Sequence, residues 1–146
     1  MKRLSPFFIF AVVLLFFSTS PVFAQAQVRV RIIEASNAGS VVDPSLGDVH
    51  RDLAALFSFT SYRLLKDVNL NLVGNRPIEV LVHPGRSMEV TLIGGYRRLT
   101  ELRIRIKREG VPILSTNVKL AAGRAILIGG PRHGEGTIIF AVSARF

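Results

Sequence analysis

The stretch LRIRIKR, residues 102–108, sets Leu102, Ile104 and Ile106 against Arg103, Arg105 and Lys107. Successive side chains of a strand point to opposite faces, so this alternation predicts a strand with one face in an apolar core and one basic face in solvent. The same period of two recurs on both sides of it. VRVRII, Val28 to Ile33, alternates apolar residues with Arg29 and Arg31. VNLNLV directs Val68, Leu70 and Leu72 one way, and IEVLVH directs Ile78, Val80 and Val82 inward. MEVTLIGGY, ILSTNVKL, AILIG and TIIFAVSARF complete about eight short strands, separated by Gly, Pro and Asn turns such as Gly74-Asn75-Arg76-Pro77 and His83-Pro84-Gly85-Arg86.

One segment departs from that period. In SLGDVHRDLAALFSF the residues Leu46, Val49, Leu53, Leu56 and Phe57 recur at helical spacing, and Asp43 or Ser45 can cap the helix, with Pro44 in its first turn if Asp43 is the cap. The expectation is a mainly β chain, α+β at the margin: an antiparallel sandwich or small barrel of about eight strands, with one amphipathic helix lying on a sheet.

The first 24 residues read differently. Lys2 and Arg3 precede an apolar run from Pro6 to Phe17, and small residues follow at Ala24 and Ala26. This is the layout of a secretory signal peptide, too short in its apolar part for the roughly 20 residues of a membrane-spanning helix. Cleavage after Ala24 leaves residues 25–146 as one β-rich domain, exported to the bacterial periplasm or associated with the outer membrane. The domain has no cysteine, which excludes thiol chemistry and disulfide staples.

Residues 25–146 carry seventeen basic against ten acidic residues, a net +7. In the envelope such a charge favours an anionic component or an acidic partner protein. Nucleic acid is a poor fit, because single-strand binders interleave stacking aromatics with their cations and this domain has only four Phe and two Tyr. The cations that can make such contacts are Arg29 and Arg31 on one strand face, Arg103, Arg105 and Lys107 on another, and Arg132 with His133 at the tip of the glycine-rich stretch ILIGGPRHGEG, residues 126–136. That stretch leads into a β-branched strand and not a helix, so it reads as a hairpin loop over residues 129–136 with glycine supplying positive φ, not as a phosphate-cradling loop.

Catalytic and metal chemistry find little in the sequence. His50, His83 and His133 show neither the His-x-His nor the His-x-x-x-His spacing that places two imidazoles on one side of an element, so no metal and no cofactor is expected. There is no Gly-x-Ser-x-Gly elbow. A hydrolase would need the fold to gather His83 or His133 with a carboxylate. The expectation is therefore a non-enzymatic binding or structural module.

Two local likenesses bear on location. Gly123 to Gly130, GRAILIGG, resembles the Gly-x-x-x-x-Ile/Val-Gly-Gly strand motif of outer-membrane secretins. Ile138, Phe140, Val142, Ala144 and Phe146 are apolar at every second position up to the C-terminal Phe, which resembles the last strand of outer-membrane β-barrel proteins. The first likeness implies an envelope setting and a secretin-associated component; the second implies a small barrel in the outer membrane.

Overall fold

The computed structural model describes residues 25–96 and 98–145; residues 1–24, expected from the sequence to be a signal peptide, and Phe146 lie outside them. The strands are β1 (Gln25–Ser36), β2 (Ser61–Val73), β3 (Ile78–His83), β4 (Arg86–Tyr96), β5 (Leu99–Arg108), β6 (Val111–Ala121), β7 (Ala125–His133) and β8 (Gly136–Arg145). They form two four-stranded antiparallel sheets, ordered β2-β1-β8-β7 and β3-β4-β5-β6. No ladder joins β2 to β3 or β7 to β6, so the arrangement is a sandwich and the closed barrel is overturned.

The period-two rows read from the sequence meet between the sheets. Val28, Val30 and Ile32 of β1, Ile138, Phe140 and Val142 of β8, Met88, Val90 and Leu92 of β4, and Leu102, Ile104 and Ile106 of β5 form one buried cluster. A second core lies on the other side of the β1–β8 sheet. There Ile33, Ala35, Ile139 and Ala141 are covered by Leu46, Val49, Leu53 and Tyr62. The outer row of β8 is thus apolar and covered by protein, facing neither lipid nor solvent. The C-terminal alternation describes only the inner half of a strand buried on both faces.

The covering layer is the segment between β1 and β2. Asp43 is extended, at φ −61° and ψ 126°, and its carboxylate accepts from the Ser45 backbone N–H at 2.9 Å, starting a 3-10 turn over Pro44–Leu46. Helix α1 follows over His50–Leu56. It is only seven residues long, so its stability comes from burying Leu53 and not from its own hydrogen bonds. Leu56, expected in the core-facing stripe, is 66% exposed, because the helix ends there and Phe57 turns extended. The Tyr62 hydroxyl, 3.2 Å from the carbonyl oxygens of both Leu53 and Phe57, anchors the helix end to β2, and burial raises its pKa.

The glycine-rich stretch is shorter as a loop than its composition implies. β7 continues to His133, the register shifts between Gly129 and Arg132, and only Gly134 and Glu135 form the turn. Of its four glycines only Gly134 has positive φ. Gly130 and Gly136 are there for close approach. A Cβ on Gly130 would lie 2.6 Å from Phe140 Cε2 and 2.9 Å from the Ile138 carbonyl oxygen, and one on Gly136 would strike the Ala35 carbonyl. Phe140 is fully buried and has nowhere to go. Gly130→Ala is therefore expected to cost about 1–3 kcal/mol in urea unfolding. Gly47→Ala, at φ −55° with ordinary contacts, is expected to be neutral or to stabilise by up to about 1 kcal/mol. Equal effects at the two sites would contradict this packing.

Candidate binding surfaces

Arg29 and Arg31 share the outer row of β1, but the covering layer separates their fates. Arg29 forks onto Asp67 of β2, with Nε and Nη2 at 2.9 and 2.6 Å from the two carboxylate oxygens, and this hydrogen-bonded pairing raises its pKa and lowers that of Asp67. Arg31 is 2% exposed and donates from Nη1 and Nη2 to the two oxygens of Asp48 at 2.8 Å each. Its Nε is buried without a partner. Arg31 therefore pins the segment before α1 to the sheet and is not a surface cation, a correction to the reading of β1 as a basic contact face.

The outer face of the β3-β4-β5-β6 sheet has no covering layer among the described residues, and it carries Arg103, Arg105 and Lys107. Lys107 Nζ donates to Glu89 Oε2 at 2.6 Å, which raises the lysine's pKa, and Arg105 Nη1 lies 3.9 Å from the other Glu89 oxygen. Two cations thus share Glu89, and Glu79, opposite it on β3, adds a second carboxylate that acts on Lys107. Lys119 stands opposite Glu101. Arg103 stands opposite Thr91 on one side and Asn117 on the other, with no carboxylate in register. The face is more balanced than the run LRIRIKR suggests, with Arg103 its least compensated charge.

A third surface lies where three turns end the sandwich: Pro84-Gly85 after β3, Glu109-Gly110 after β5, and Gly134-Glu135 after β7. Inward-facing rows that are apolar along the core finish here in polar residues. Met88 of β4 is followed outward by Arg86, Ile106 of β5 by Arg108, and Ile32 of β1 by Glu34. His133 Nε2 lies 3.3 Å from Glu34 Oε2, while Arg63 Nη2 donates to Glu34 Oε1 at 3.0 Å. The His133 ring lies against His83, tilted at 37° with centroids 4.9 Å apart. His83 Nδ1 donates to the Pro84 carbonyl at 3.0 Å, which leaves the buried Nε2 without a partner. Arg86 Nη1 donates to the Arg132 carbonyl at 2.8 Å, and Lys66 Nζ to the Leu81 carbonyl at 2.9 Å. These contacts join the two sheets at one end, and Arg132 itself is exposed there.

Glu34 and His133 border a recess of about 260 Å³ with Ser36 and Glu135. The structure thus gathers the two histidines and a carboxylate that sequence spacing kept apart. Among the described residues no hydroxyl hydrogen-bonds either imidazole, so no nucleophile–base pair is formed, and no group of three or more His, Asp and Glu side chains is placed to hold a metal. The sequence missed Arg86, Arg108 and Glu34 as members of this end. The available signal was a charged residue directly following each apolar row.

Comparison with protein-family models, with curated proteins and with solved structures returns no match for this chain.

Asp48 has a lowered pKa, first through its hydrogen bonds from Arg31. A carboxyl depressed in the folded state stabilises above its ordinary range, near pH 4, and loses that contribution as pH falls below it. Asp48→Asn is expected to lose about 1–3 kcal/mol at pH 7, since it leaves a buried guanidinium poorly paired. The gap from the parent protein should narrow between pH 5 and pH 3, though Asp43 and Asp67, depressed in the same direction, remain in both. Thermal unfolding across that range checks this; a gap that widens in acid would contradict it.

Proposed function

We propose that the protein is an exported, non-enzymatic binding module of the bacterial cell envelope. It associates with an anionic envelope component, or with an acidic partner protein, through the outer face of the β3-β4-β5-β6 sheet. The observation that carries this reading is a surplus of cations on an uncovered face: Arg103, Arg105, Lys107 and Lys119 stand against Glu79, Glu89 and Glu101, and Arg103 has no carboxylate in register. Surface ion pairs of this kind are weak and exchange readily with an incoming anion.

The arrangement suits contact over a broad strand surface and not enclosure of a small substrate. Export rests on residues 1–24, whose basic start, short apolar core and small residues near Ala24 fit a cleavable signal. Secretin association would fit the same setting. Among the described residues no helix is long and apolar enough to cross a membrane.

The double variant Arg103→Glu, Arg105→Glu tests the reading. Both side chains lie on the solvent side of a strand whose inner row is intact, so folding should persist. Co-sedimentation with an envelope fraction should fall for the variant, and for the parent it should weaken steadily with added salt as exposed charges are screened. Association unchanged by either the substitution or a salt series would overturn the assignment.

A further inference from the structure

We infer that the end of the sandwich where Arg86 and Arg108 face each other, beside the β7–β8 turn, is a binding site for a phosphate-bearing group. This goes beyond the strand-face reading and stands on different residues. Arg86 and Arg108 are direct register partners on β4 and β5. Like charges directly opposite on adjacent strands destabilise a sheet, and neither guanidinium forms an ion pair with a carboxylate among the described residues. An anion bridging the two removes that repulsion.

The geometry supplies an anchored donor. Arg86 commits Nη1 to the Arg132 carbonyl at 2.8 Å, which fixes its guanidinium and leaves its remaining N–H groups for a ligand. Arg108, its register partner, is exposed at the end of β5. Guanidinium forks match two oxygens of a phosphate at once.

Charge selects among anions. Arg63, Lys66, Arg86, Arg108 and Arg132 gather at this end against Glu34, Glu109 and Glu135, a surplus of two with both histidines neutral. A phosphate monoester carries about −1.5 to −2 near neutral pH, which matches that surplus where a single carboxylate does not. The chemistry is shared by free phosphate and by a phosphorylated lipid headgroup.

Titration of isotope-labelled residues 25–146 with inorganic phosphate, followed by amide chemical shifts, tests the site. The expected result is saturable shifts centred on Arg86, Arg108 and Arg132, absent with sodium chloride at matched ionic strength. Arg108→Gln, at the exposed last position of β5 where folding is not at risk, should weaken binding about tenfold or more, and Arg86→Gln likewise. Flotation with phosphatidic acid vesicles against phosphatidylcholine vesicles separates the two sources. Saturation by phosphate alone supports a soluble ligand, and binding only to phosphatidic acid supports a headgroup. The Arg103→Glu, Arg105→Glu variant should bind as the parent does, whether or not it has lost envelope association. Shifts that match sodium chloride together with no vesicle preference, or binding unaffected by Arg108→Gln, would overturn the site.

Discussion

β1 and β8 are hydrogen-bonded to each other at the centre of one sheet and are buried on both faces, and the remaining elements are arranged around that double burial. Their inner rows need the second sheet. Their outer rows, with Ile33, Ala35, Ile139 and Ala141, need a cover, and the segment from Asn37 to Thr60 supplies it with Leu46, Val49 and Leu53. Each such side chain removed from water contributes roughly 1.5–3 kcal/mol, so a seven-residue helix that would melt alone is held by what it covers. Arg31 lies under the same cover and can be there only because Asp48 meets both of its terminal nitrogens.

This layering decides which of the many cations can meet a partner. Cover on the outer face of the β1–β8 sheet removes Arg31, and Asp67 engages Arg29. The other sheet keeps its outer face open, and its long basic side chains spread over small polar neighbours: Ser87 and Thr91 are buried although they lie on the outward row of β4. At the turn end the core finishes in arginine, histidine and glutamate instead of apolar residues. A basic protein of this design presents a broad, partly balanced face and a more concentrated positive end.

Much of the fold was legible because it is written in local period. Alternation in LRIRIKR marked β5 and its inner row, Asp43 and Pro44 marked the start of the helical segment, and the turn residues separated eight strands. The closed barrel was not excluded at that level, because an inner apolar row looks the same in a barrel and in a sandwich. What distinguishes them here is strand pairing, since no ladder joins β2 to β3 or β6 to β7, and that pairing is not written in the period of any one strand. Arg29 and Arg31 occupy equivalent places in the alternation and differ only through a segment that folds back from later in the chain. His83 and His133 are fifty residues apart, and only the pairing of two turns at one end brings their rings together. The glycines at 130 and 136 were read for conformational freedom, whereas contact with Phe140 and Ala35 explains them.

Amide hydrogen exchange along residues 25–145 tests the double burial most directly, because exchange from strands buried on both faces requires opening that approaches global unfolding. The account predicts that amides of β1 and β8 are the slowest in the protein and exchange together with those of α1 that face them, while the edge strands β3 and β6 exchange faster. Exchange in β8 as rapid as that in β6 would contradict it, and with it the separation of covered from uncovered cations on which the functional reading rests.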